Sequence, residues 1–167
     1  MVIIGVTSDT HIPARAAKLP IALLSAFGEV DLILHAGDLT SLEVLEALEG
    51  LAPVEAVQGN MDDLKVRARL AERRIVEAEG CRIGLVHGSG SPVGLERRAL
   101  RAFEANGVQA VVFGHSHKPF NQRVGEVLLF NPGSPTDRRF SPHGSFGRLR
   151  VNGRSVSGEV VKITAPG

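Results

Sequence analysis

Three short apolar runs, Val2–Thr7, Leu32–Leu34 and Val54–Gln58, alternate with segments of helical pattern over the first third of the chain. No other feature restricts the possible folds as much. The runs are rich in β-branched residues and read as strands. Between the first two, Ala16–Phe27 carries Leu19, Leu23, Leu24 and Phe27 at helical spacing behind a proline-containing turn. Between the second and third, Thr40 or Ser41 is placed to cap a helix running to about Leu48, with Gly50 closing it. Short strands joined through helices predict parallel pairing with crossover connections.

The pattern changes in the middle of the chain. Arg74–Ala78 and Arg82–Val86 flank Glu79-Gly-Cys81 as a hairpin, and a helical stretch follows from Leu95 to Glu104. After the apolar Val111–Phe113, a second hairpin joins Gln122–Val124 to Val127–Phe130 about Gly125-Glu126. A third joins Gly147–Val151 to Ser157–Ile163 about Asn152-Gly153, the strongest turn signal present. Parallel units early and hairpins late predict an α/β chain of two mixed sheets with helices outside. No repeat, linker or low-complexity segment divides it, so 1–167 reads as a single domain.

Composition narrows the function classes. The chain has 167 residues, 43% of them hydrophobic, which suffices for a sizeable core. A net charge of +1 gives no general basic field, so broad nucleic-acid binding is not expected. Cys81 is the only cysteine, which excludes a disulfide framework or thiolate cluster and points to a reducing, cytoplasmic setting. No positive segment precedes the first apolar run, and no run approaches the roughly 18 apolar residues of a membrane span, so neither secretion nor membrane insertion is expected.

The chemistry lies at the strand ends. Five of them finish in a small residue and a metal-capable side chain: Ser8-Asp-Thr-His11, Gly37-Asp38, Gly59-Asn-Met-Asp62, His87-Gly88 and Gly114-His-Ser-His117. In an open α/β sheet such loops line a common crevice. Asp9 with His11, and His115 with His117, are spaced i, i+2, which on extended backbone puts both side chains on one side, with Thr10 and Ser116 facing away. Two aspartates, four histidines and one asparagine are too many for a single catalytic zinc, and they fit a dinuclear centre with one bridging carboxylate. Imidazole with carboxylate suits Mn, Fe, Zn, Co or Ni and disfavours all-oxygen Ca or Mg sites.

These five motifs, in this order and spacing and followed by Asn131-Pro-Gly-Ser134, resemble the calcineurin-like metallophosphoesterases, and the chain looks most like their small YfcE-type phosphodiesterase group. The resemblance implies a four-layer α/β/β/α sandwich. It assigns Asp9, His11 and His117 to one metal, Asn60, His87 and His115 to the other, and Asp38 to the bridge, with Asp38, Asn60 and His87 also counted as catalytic. The cofactors implied are two divalent transition metal ions, manganese favoured. The implied reaction is hydrolysis of a small phosphoester by a metal-bridging hydroxide. Many larger relatives carry histidine where this chain has Met61, and a thioether can neither stabilise the transition state nor protonate a leaving group.

Other readings stay open at this stage. The retromer's small subunit shares the fold as a scaffold with a degraded metal site, and phosphomonoesterase activity is a further alternative. A homo-oligomer is compatible with the sequence. His35 reads as core or as support for a ligand, Asp62 as a turn or cap residue or as one orienting a ligand or water, and Ser134 as a hydroxyl near the site. His143 and the Arg138-Arg139 pair read as solvated loop residues.

Overall fold

The computed structural model describes residues 1–164, so the last three residues of the 1–167 domain reading lie outside it. Val2–Thr7 forms β1, Leu32–His35 β2 and Val54–Ala56 β3, paired in parallel. Gly144–Asn152 (β9) and Ser155–Ile163 (β10) complete that sheet in the order β10-β9-β1-β2-β3, with β9 antiparallel to β1. The second sheet contains Arg73–Ala78 (β4), Cys81–Val86 (β5), Ala110–Val112 (β6), Phe120–Val124 (β7) and Val127–Asn131 (β8). Its order is β4-β5-β6-β8-β7, with β5, β6 and β8 parallel and hairpins at both edges. Both sheets are mixed, as expected.

Strand alternation sorts the apolar side chains into three layers. Ile4, Val6 and Leu34 of the first sheet meet Ile83, Leu85, Val112 and Phe130 of the second between the sheets. On the outer face of the first sheet, Ile33 and Phe146 pack against Ile21–Phe27 (α1) and Leu42–Glu49 (α2) through Leu23, Phe27, Leu45 and Leu48. On the outer face of the second, Val111 and Leu129 pack against Leu95 and Ala99 of Leu95–Arg101 (α4) and against Phe103. The result is a helix–sheet–sheet–helix sandwich. Among the described residues, no helix is long and apolar enough to cross a membrane.

The two outer layers use the same device. Gly5 in β1 leaves space for the ring of Phe27, and Gly84 in β5 leaves space for that of Phe103: an added Cβ would stand 2.8 Å and 2.6 Å from the respective ring carbons. Both rings are almost fully buried, each contributing about 2–3 kcal/mol of apolar burial. Gly84→Ala is therefore expected to destabilise the protein by about 1–3 kcal/mol through overpacking, read as a lower urea midpoint at unchanged slope.

Several boundaries differ from the sequence reading. Helix α1 begins at Ile21 rather than Ala16, because Pro20 restricts the residue before it to extended backbone. Helix α4 ends at Arg101 rather than Glu104, leaving Phe103 in a turn. A short helix, Leu64–Arg69 (α3), has no apolar stripe long enough to announce it; Asp63 caps it by accepting from the Val66 amide at 2.9 Å. Ser41, not Thr40, caps α2. The third and sixth strands stop at Ala56 and Val112, short of Gln58 and Phe113. At the last hairpin, Asn152 pairs with Ser155, so the turn falls on Gly153-Arg154. These changes leave the carboxyl ends of β1, β2, β3, β5 and β6 beside one another.

Candidate metal centre

All seven candidate ligands lie just beyond those strand ends, five of them off extended backbone. Asp9, His11, Asp38, His115 and His117 have φ of +55°, +41°, +58°, +71° and +58°. The i, i+2 argument is thus corrected: each pair reaches one side because the chain curls through left-handed conformations, not because a strand continues. Non-glycine residues adopt this region at a cost, and such residues concentrate at functional sites. Only two other non-glycine residues in the described chain, Thr40 and Glu79, share it without being candidate ligands. Thr10 turns inward, its hydroxyl 3.1 Å from His35 Nε2.

Each aspartate is anchored by one oxygen and offers the other. Asp9 Oδ2 accepts from the Ser8 hydroxyl at 2.7 Å and the His115 amide at 3.0 Å. Asp38 Oδ1 accepts from the Met61 amide at 2.8 Å. Asp9 Oδ1 is buried and makes no hydrogen bond. Around it stand three imidazole nitrogens: Nε2 of His117 at 3.2 Å, His11 at 3.8 Å and His87 at 3.9 Å. Asp38 Oδ2 faces His87 Nε2 at 3.2 Å and His11 Nε2 at 3.6 Å. A buried carboxylate oxygen without a donor is costly. Divalent cations among these nitrogens and oxygens would satisfy it, and the donor set fits them. Two groups of ligand atoms, Asp9–His11–His117 and Asp9–Asp38–His87, each lie within 4.8 Å of one another. They share Asp9.

The imidazoles are held from behind. His87 Nδ1 donates to the Ala36 carbonyl at 2.8 Å and His117 Nδ1 meets Asp137 Oδ2 at 3.0 Å, which leaves both Nε2 atoms facing the carboxylates. Burial alone would lower the His87 pKa, but Asp38 and Asp9 outweigh it and hold the imidazole at about 9. Asp9 raises His117 against its burial, with Asp137 adding to it. Asp9 and Asp38 are shifted down, because the imidazoles overcome the opposing effect of burial. His35 is fully buried, and burial lowers it to about 3 against the opposing pull of Asp9 and Asp38. It accepts from the Gly37 amide and sits behind the centre as a neutral residue.

The sign of the resulting pH dependence follows from the direction of the His87 shift. A folded-state pKa raised from 6.5 to about 9 stabilises the metal-free fold fully below pH 6.5 and loses that contribution as pH rises through 9. Thermal melts of chelator-treated protein are expected to fall across this window. A flat or rising melting temperature would contradict the charged Asp38–His87 pair.

The remaining candidates sit at the edge of this cluster. Asn60 is exposed, with Oδ1 3.0 Å from His87 Nε2. His115 is half-buried, its ring 5.2 Å from that of His87, and its Nε2 donates to the Gly90 carbonyl at 2.6 Å, leaving Nδ1 as the free lone pair. Met61 is 61% exposed at the rim and reaches the centre only through its backbone amide. Asp62 acts through the loop backbone: its carboxylate accepts from the amides of Gly59 at 2.7 Å, Asp38 at 3.0 Å and Thr40 at 2.6 Å, tying two site loops together. Burial, with Asp38 nearby, pushes its pKa up against the pull of these donors. Ser134 is buried and donates to the Asp9 carbonyl at 2.8 Å.

Asp137 escapes the sequence reading altogether. It is buried, supports His117, and is gripped by Arg139, so that Arg139 is no free loop charge. The bond from Arg139 holds its pKa well below the carboxylate range despite burial. Ser134, whose hydroxyl accepts from the Asp137 amide at 2.9 Å, was the nearest signal in the sequence. His143 is exposed.

Comparison with known proteins places the chain in a family. Residues 2–154 match the model of the calcineurin-like phosphoesterase superfamily domain. The chain is 44% identical over 165 residues to a probable metallophosphoesterase of Methanothermobacter thermautotrophicus, covering 98% of this chain and 94% of that protein. It is 29% identical over 142 residues to a phosphodiesterase of Methanocaldococcus jannaschii, covering 78% and 82%. Among solved structures it is similar to Vps29 of Entamoeba histolytica, crystallised with zinc, at a TM-score of 0.75 and 27% identity over 96% of this chain and 98% of the other.

Proposed function

The chain belongs to the calcineurin-like phosphoesterase superfamily, and on that premise we propose that it is a phosphodiesterase dependent on two divalent metal ions. The observation that carries this reading is the unpartnered, buried Asp9 Oδ1 with three imidazole nitrogens around it. Asp9, His11 and His117 would hold one ion and Asn60, His87 and His115 the other, with Asp38 between them. Manganese is the favoured metal. When bound, such a pair supplies Lewis acidity toward phosphoryl oxygens and makes water nucleophilic near neutral pH.

The chain's own contribution is placement and charge. Two carboxylates at one point offset the positive charge the centre would carry, and Asp137 and the Ala36 carbonyl fix the ring orientations of His117 and His87. Met61 at the rim cannot protonate a leaving group, and His11, His87 and His117 face the carboxylates. This favours substrates whose leaving alcohol departs without a strong acid.

A scaffold of the same fold remains the second reading, supported by the structural likeness to Vps29. One experiment separates the readings. Manganese-loaded protein is expected to hydrolyse the p-nitrophenyl diester faster than p-nitrophenyl phosphate, and a chelator should abolish both activities. A preference for the monoester would move the assignment to phosphomonoesterase. Less than one bound metal equivalent with no hydrolysis would favour the scaffold.

A further inference from the structure

A cavity of about 470 Å³ opens beside the candidate centre, on the side of Asn60 and His87. Its other walls include Gln58, Arg67, Glu72 and Arg98. The two arginines come from different helices and do parallel jobs. Arg67 Nε donates to the Asp62 carbonyl at 2.8 Å, and its Nη2 to the Asn60 carbonyl. Arg98 Nη1 donates to the Val93 carbonyl at 2.9 Å, while its Nη2 reaches the Ser91 carbonyl. These bonds hold the guanidinium groups still without cancelling their charge, because every acceptor is a neutral carbonyl. Neighbouring arginines are different: Arg69 pairs with Glu49, Arg74 with Glu55 and Arg82 with Glu77. Neither Arg67 nor Arg98 has a carboxylate at ion-pairing distance among the described residues. The one carboxylate among the wall residues is Glu72.

We propose that this cavity receives the substituent of the phosphoester beyond the reacting phosphorus, and that this substituent carries a second phosphate. The inference rests on the phosphodiesterase reading of the adjoining centre. Two unneutralised guanidinium groups in one concave wall concentrate positive potential there, although the whole chain carries only +1. Arg67 Nη1 and Arg98 Nε remain as donors, and planar guanidinium groups suit phosphate oxygens. Because the loop carbonyls already hold both side chains, little rotamer freedom is lost when an anion enters.

The test compares two p-nitrophenyl phosphodiesters with the same leaving group, one bearing an ethyl and the other a phosphoethyl substituent, at equal free manganese. The wild-type protein is expected to show a KM about tenfold lower for the charged diester, a preference that shrinks as salt is raised. That ratio should fall toward unity in Arg67→Gln and rise in Glu72→Gln, which leaves both arginine braces in place. Equal KM values in the wild type, or a ratio unmoved by either substitution, would overturn the subsite. Should neither diester be hydrolysed, the phosphodiesterase reading fails, and a separate measurement still decides the cavity. In metal-free protein titrated with inorganic phosphate, the Nε resonances of Arg67 and Arg98 are expected to shift. Unchanged resonances would refute anion binding there.

Discussion

Asp38→Ala is expected to lose nearly all phosphoester hydrolysis, by more than about a hundredfold, while the far-ultraviolet circular dichroism stays that of the wild type. The residue is buried at 2% exposure, and its Oδ2 faces imidazoles of both ligand groups, so its removal weakens both at once. The fold should survive, because Asp38 makes its one side-chain hydrogen bond to the amide of Met61, a rim residue that water can reach. Metal analysis after equilibration with manganese should drop from two equivalents toward less than one. Activity near that of the wild type would rule out the two-metal reading. The pH dependence offers a second readout. Without Asp38, His87 loses the partner that most raises its pKa, so its titration should move down from about 9.

Asp62→Ala addresses the scaffolding of the same centre and should act mainly on stability. The carboxylate serves three backbone amides, two of them buried, that have no other partner once it is gone. Each buried donor left unsatisfied costs about 1–3 kcal/mol, so a loss of roughly 3 kcal/mol or more is expected. For a chain of this length that lowers the melting temperature by about 6–12 °C. Metal affinity should fall with it, since the Asp38 and Gly59 amides would no longer be held in register. Asp63→Ala, which removes only the cap of α3, should cost about 1 kcal/mol and spare metal binding. A melting temperature for Asp62→Ala within a degree of that for Asp63→Ala would show that the loops are held by other means.

The contrast between these adjacent aspartates shows where sequence reasoning succeeds. Strand ends carrying glycine with Asp, Asn or His were readable because turn chemistry and ligand chemistry coincide there, and the parallel-then-hairpin order predicted two mixed sheets. Asp62 and Asp63 are identical as residues. One caps a helix locally, and the other binds loops that begin at Gly37 and Gly59, a distinction that exists only after the sheet has brought those loops together. Asp137 lay hidden for the same reason: its partner His117 is 20 residues away. Arg139 looked like a solvated charge until the fold gave it that buried carboxylate. The left-handed turns at Asp9, His11, Asp38, His115 and His117 could not be read either, because Asp and His enter that region only several-fold more often than other residues.

Those five turns also bear on how such a chain can change. Glycine takes a positive φ freely, whereas a side chain there costs roughly 1 kcal/mol per position. If the site fell out of use, each exchange of such a ligand for glycine would relieve that backbone strain. Selection for stability would then erase the centre one residue at a time. A chain that still presents Asp or His at all five positions carries that strain at every one of them.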